Sequence, residues 1–176
     1  MKRNICILLI ITMLLTLFTG CESRKDESRD PLHEFLSALA EDDLQGMTLT
    51  VYYMDSDLLT YAPMQVEWLI DYCEKNADNE DSPYHKIVVD SSSLQEHKNL
   101  FLQLDPQELL TRKDSIYTDA RICFQFKKEE TEQMWHLVYY ALEEDRSNLY
   151  ALFNETPMII TDCHRKIQEA FLPEEY

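Results

Sequence analysis

The side chains of this sequence that could do chemistry are five histidines, five cysteines and 33 carboxylates, and their spacing decides which chemistry is open to them. Zinc sites use histidine and cysteine at short spacings such as CxxC or HExxH, and neither pattern occurs in the sequence. The closest pair, Cys163 and His164, is adjacent, and adjacent side chains on a helix point about 100° apart. We therefore expect no metal ion and no other cofactor.

Two short acidic stretches, residues 55–57 and 76–81, carry oxygen ligands of the kind that calcium prefers. Neither stretch has the EF-hand pattern, which places glycine at the sixth loop position and glutamate at the twelfth. We expect both stretches to be solvated turns.

Nucleophilic catalysis by a thiol requires a histidine beside a cysteine in an open cleft. Cys123 and His136 fall on neighbouring predicted strands, but the sequence alone does not bring the two side chains together. Glycoside hydrolysis requires a pair of carboxylates, and the sequence does not identify one, because 33 acidic residues form too many possible pairs.

Glycine is scarce, with only Gly20 and Gly46 in 176 residues, where average usage would give roughly 12. Phosphate-binding loops, dinucleotide fingerprints and GxSxG elbows all need glycine, because their backbone adopts positive φ or approaches a ligand closely. We therefore predict no catalytic residue and expect a protein that is not an enzyme.

The first residues have the pattern of an export signal. Lys2 and Arg3 precede the apolar stretch Ile5–Phe18, and the small residues Thr19 and Gly20 follow it. A transmembrane helix needs about 20 apolar residues, so this stretch is typical of a signal peptide instead.

Residues 17–21, Leu-Phe-Thr-Gly-Cys, resemble the lipobox of bacterial lipoproteins, with Phe18 at the position where that family prefers leucine. The resemblance covers residues 1–21 only. It implies cleavage before Cys21, a diacylglyceryl thioether on that cysteine, and a protein held at the cell membrane facing outside the cytoplasm. Two acyl chains suffice for lasting attachment to the bilayer. The expected organisation is a signal peptide (1–20), a charged tether (21–30) and one domain (31–176).

The net charge is −17, and it becomes −19 without residues 1–20, because that segment contains Lys2 and Arg3 but no acidic residue. We expect no nucleic-acid partner, because a phosphate-binding surface needs a basic patch. The acidic charge has two interpretations that the sequence leaves open: it keeps an exported protein soluble, or it attracts a basic protein partner.

Three cysteines, Cys73, Cys123 and Cys163, remain once Cys6 and Cys21 are assigned to the signal and the lipid. An odd number argues against a disulfide scaffold. We expect three small buried side chains, and a single disulfide between two of them stays open.

Apolar periodicity predicts helices after Pro31 and Pro63, after a cap at Ser91 or Ser92, and after Thr161. Strands are predicted at residues 47–54, 86–90, 118–126, 133–142, 149–153 and 158–160, the fourth of them central because it is apolar on both faces. This order indicates an α+β fold, with a mostly antiparallel sheet and helices packed on one side.

A sheet with helices on one side leaves its other face available for recognition, and aromatic residues concentrate on the predicted strands. The residues proposed for binding a ligand or partner are Tyr52, Arg121, Gln125, Trp135 and Tyr139. The sequence does not decide whether Trp135 and Tyr139 or the alternate residues of that strand face outward, or whether another element covers the face.

These observations together predict a membrane-anchored, surface-exposed lipoprotein that acts as a non-catalytic binding module. Two alternatives stay open: an acidic inhibitor or immunity-type protein against a basic enzyme, and an envelope hydrolase without a sequence signature.

Overall fold

Helices and strands alternate along the first part of the domain, and four strands follow one another in the second part. Four helices and six strands occur in residues 31–40, 44, 46–104, 119–141, 149–154, 156–158 and 160–173, which are the residues that this computed structural model describes. Their bounds are α1 (Pro31–Leu39), β1 (Met47–Met54), α2 (Val66–Lys75), β2 (Tyr84–Val89), α3 (Ser91–Phe101), β3 (Asp119–Lys128), β4 (Gln133–Ala141), β5 (Leu149–Phe153), β6 (Thr156–Met158) and α4 (Asp162–Phe171). None of these described helices has both the length and the apolar character needed to cross a membrane.

The six strands form one sheet in the order β2-β1-β3-β4-β5-β6, and every neighbouring pair is antiparallel. The predicted α+β class, the antiparallel sheet and the single small domain are confirmed. Strand β4 lies between β3 and β5, so it is an interior strand as its two apolar faces indicate.

Helices α1, α3 and α4 cover one face of the sheet, which we call the three-helix side. Phe35 of α1 shows how this core is packed: its ring centroid lies 4.7 Å from that of Phe126 and 5.1 Å from that of Phe153. Phe101 of α3 packs against the same Phe126 at 5.0 Å. Fully burying each such ring contributes about 1.5–3 kcal/mol, so this side contains the main core.

Helix α2 packs on the opposite face, which we call the α2 side. The expectation of helices on one side therefore holds for three of the four helices. The fourth is needed because the α2 side is apolar at one end of the sheet, where Met54, Cys123 and Val138 lie. Leu69 and Cys73 of α2 cover these side chains and are themselves fully buried.

Several boundaries differ from the sequence prediction by one or two residues. Asp90 caps α3, because its carboxylate accepts hydrogen bonds from the backbone N–H groups of Ser92 and Ser93, both at 2.9 Å. Strand β2 begins two residues earlier than predicted, and the last strand is Thr156–Met158 instead of 158–160.

Candidate functional site

The α2 side combines a covered half and a more open half. Helix α2 packs over the row in which Tyr52 pairs with Cys123 and Cys123 with Val138. The row beside it contains Gln125 and His136, which pair across β3 and β4 and are only half-buried. This arrangement brings polar side chains from three strands to the flank of one helix.

Glu74 of α2 ties the helix to the sheet through two charge-assisted hydrogen bonds. Lys86 donates to one carboxylate oxygen at 2.6 Å, and the Tyr52 hydroxyl donates to the other at 2.7 Å. These bonds, that from Lys86 first, lower the pKa of Glu74. Burial, reinforced by the Glu74 carboxylate, raises the pKa of Tyr52, so its phenol stays protonated and acts as a donor.

His136 extends this network toward β5. Its Nε2 lies 2.9 Å from the side-chain nitrogen of Gln125, and its backbone N–H donates to the Asn154 side chain at 2.8 Å. Burial lowers the pKa of His136, so the ring is neutral at pH 7. A neutral Nε2 accepts the amide hydrogen of Gln125, which makes His136 a structural acceptor in this geometry.

Of the five residues proposed for recognition, Tyr52 and Gln125 do come together on the α2 side. Their side-chain oxygens lie 3.5 Å apart. Tyr52 is buried beneath α2, however, and its hydroxyl is engaged by Glu74, whereas Gln125 is half-buried.

Arg121 lies on the same side but is only 3% exposed. Its guanidinium donates to Asp119 at 2.6 Å and to the backbone carbonyl of Leu58 at 2.8 Å. The expectation that Arg121 is part of an exposed face is corrected: it is a buried residue that holds the loop after β1 against the start of β3.

Trp135 and Tyr139 lie on the three-helix side and are 1% and 0% exposed. Trp135 packs against Phe35, and the Tyr139 hydroxyl lies 3.0 Å from Nδ1 of His164 in α4. Their placement on a free recognition face is therefore wrong, because the face that they share is the one that three helices cover.

The exposed apolar surface lies elsewhere on the α2 side. Trp68 and Tyr72, one turn apart on the outer face of α2, are 53% and 44% exposed. Leu59 and Tyr61, in the loop before α2, are more exposed still. The sequence contained a signal for the helical pair, because Trp68 and Tyr72 fall outside the buried stripe that Leu69 and Cys73 define.

Two of the described cysteines, Cys73 and Cys123, are poor nucleophiles. Cys73, Cys123 and Cys163 are free and buried, which agrees with the expectation of three small buried side chains. Burial raises the pKa of Cys73 to about 12 and that of Cys123 further, so both thiols are protonated at neutral pH. Cys123 pairs with Val138, and His136 pairs with Gln125, so the register does not place the thiol directly opposite the imidazole.

The acidic stretches form turns in the structure. Asp55 pairs with His85 at 2.7 Å, and the backbone N–H of Asp81 donates to the Asn79 side chain at 3.2 Å. Within the part of the chain that the structure describes, no group of three or more His, Cys, Asp or Glu side chains is placed to hold a metal ion.

Comparison of this chain with protein families, with curated proteins and with solved structures finds no match.

Proposed function

We propose that this protein is a non-catalytic binding module, attached through Cys21 to the outer side of a membrane, and that its α2 side receives the partner. The resemblance of residues 17–21 to a lipobox supports the attachment. The distribution of exposed apolar side chains supports the binding surface.

The α2 side is chosen because the exposed apolar side chains gather there. Of the seven large apolar side chains that are exposed in the described residues, six belong to the α2 side or to the loop that leads into α2. The six are Leu59, Tyr61, Trp68, Tyr72, Val88 and Met134. Apolar side chains that gather on one side of a soluble domain are typical of an interaction surface.

The attachment is tested by Cys21→Ala, with Cys6→Ala as the matched control because Cys6 lies within the signal segment. Cells grown with radiolabelled palmitate should label the parent protein and the Cys6→Ala variant but not Cys21→Ala. The Cys21→Ala protein should leave the membrane fraction or accumulate uncleaved. Equal labelling of all three proteins would contradict the lipid attachment.

The binding surface is tested by crosslinking lysines in intact cells and identifying the linked peptides by mass spectrometry. Lys75 and Lys86 are on the α2 side, and Lys166 of α4 is on the three-helix side, so the chain supplies its own control. We expect one recurrent partner linked through Lys75 and Lys86. A partner linked through Lys166 alone would contradict the choice of surface.

A further inference from the structure

The loop after β1, helix α2 and the turn that follows it form one acidic segment, residues 55–81. This segment contains eight carboxylates and a single basic residue, Lys75. By contrast, α4 balances two acidic residues, Asp162 and Glu169, with two basic ones, Arg165 and Lys166. The excess of negative charge is therefore concentrated beside the exposed aromatic pair of α2.

Most of these carboxylates are available to a partner. Asp55, Asp71 and Glu74 pair with His85, Lys75 and Lys86. The other five form no salt bridge with any described residue, and all five are exposed. They are Asp57, Glu67, Asp78, Glu80 and Asp81.

The aromatic rings of α2 are partly held in place. Tyr72 stacks on Tyr84 of β2 with ring centroids 5.0 Å apart and planes at 20°. Trp68 lies one turn away on the same face of the helix. An exposed ring next to carboxylates is suited to a guanidinium or ammonium group, which the ring face attracts while a carboxylate pairs with its charge.

We propose that residues 55–81 bind a basic segment of a partner protein, with arginine or lysine side chains placed over Trp68 and Tyr72 and paired with the neighbouring carboxylates. This inference rests on the proposed function and adds the chemistry of the partner. The charge argues against two other occupants: a second copy of this acidic chain and an anionic lipid surface would both be repelled.

The test uses the full chain in phosphatidylcholine nanodiscs and three labelled nonapeptides, of arginine, lysine and glutamate. Dissociation constants are measured by fluorescence anisotropy at 150 mM salt. We expect the arginine peptide to bind most tightly and the glutamate peptide not to bind. Trp68→Ala should raise the dissociation constant of the arginine peptide about tenfold, the size expected for losing a partly desolvated cation–π contact. The exposed position of Trp68 predicts an unchanged melting temperature.

Two double variants that remove the same number of charges show whether the peptide binds at α2 or responds only to the overall negative charge of the protein. Glu67→Gln with Asp71→Asn removes two carboxylates from α2, and Asp162→Asn with Glu169→Gln removes two from α4. We expect severalfold weaker peptide binding for the first pair and less than about a twofold change for the second. Equal losses for both pairs, or tight binding by Trp68→Ala, would overturn the inference.

The inference and the proposed function fail in different ways. A chain that binds none of the peptides but crosslinks a partner through Lys75 and Lys86 would refute the basic segment and leave the binding module intact. A chain that binds the arginine peptide at α2 but links a partner only through Lys166 would refute the choice of surface and, with it, the inferred partner.

Discussion

Arg121 is the residue whose role differs most from the sequence-based expectation. An arginine between aromatic strands suggests a contact for a partner, but its guanidinium is directed inward at Asp119 and Leu58 and also lies 3.7 Å from the sulfur of Met54. Removing one partner of a buried ion pair destabilises a protein, because the other charge stays buried without a counter-charge.

Arg121→Ala should therefore destabilise the domain by about 3 kcal/mol, because it leaves the Asp119 carboxylate and the Leu58 carbonyl without their donor. Chemical denaturation monitored by circular dichroism measures this loss. Lys127→Ala on the same strand is the control, because its side chain is exposed and should change the stability by less than about 0.5 kcal/mol. Equal stability of the two variants would show that the buried pair contributes nothing.

His164 is a second buried polar residue, on the three-helix side. Its side chain is fully buried, its Nδ1 faces the Tyr139 hydroxyl, and its Nε2 has no hydrogen-bond partner among the described residues. Burial lowers the pKa of His164 to about 4. The folded protein therefore contains the neutral ring at pH values where the unfolded chain, with a histidine pKa near 6.5, binds a proton.

The contribution of His164 to stability should be fully present above pH 6.5 and should be lost as the pH falls toward 4. The difference between the two pKa values corresponds to about 3 kcal/mol. The measurement is the free energy of unfolding between pH 7 and pH 4.5 for the parent protein and for His164→Phe. The free energy of unfolding of the parent protein should fall more steeply with decreasing pH than that of His164→Phe. Parallel curves would contradict the lowered pKa of His164.

Most helices and strands could be predicted from the periodicity of apolar residues. The strand Met47–Met54 and the helices α2 and α4 agree with the sequence pattern, because each has an apolar stripe of the correct period bounded by polar residues or proline. The cap of α3 was misassigned because three serines follow Asp90, and aspartate and serine are both good capping residues. Only the backbone geometry separates them.

Asp90→Ala should lower the melting temperature by roughly 2–4 °C, because it removes the acceptor for the N–H groups of Ser92 and Ser93. Ser91→Ala is the matched control, since the neighbouring serine makes no capping bond in the structure. Thermal unfolding followed at 222 nm compares the two variants. A larger effect of Ser91→Ala would show that Ser91 caps the helix, as the sequence pattern suggested.

The candidate site was less predictable than the elements, for a physical reason. Alternation along β4 shows that Trp135 and Tyr139 share a face, but it does not show which face the helices cover. That choice depends on packing between α1, α3, α4 and the sheet, which joins residues far apart in the chain. The exposed pair on α2 was visible as an interruption of the helical stripe, yet the same pattern also occurs in helices with a second packed layer.

At the scale of the whole domain, the two sides of the sheet differ in composition. The three-helix side buries a continuous aromatic core, and the α2 side combines exposed apolar side chains with the acidic segment. The first turn of α1 lies beside the start of β4, where Gln133 donates to Glu34 at 3.1 Å. The loop after β1 contacts the start of β3 at the opposite end of the sheet. The first turn of α1 therefore lies at the end of the sheet away from the loop after β1.

Photocrosslinking from defined positions in living cells tests most directly whether a partner docks on the α2 side. A photoreactive phenylalanine analogue replaces Trp68 of α2 in one protein and Glu169 of α4 in another, both exposed positions. We expect one discrete crosslinked protein from position 68 and none from position 169. Crosslinks only from position 169, or the same products from both positions, would contradict it.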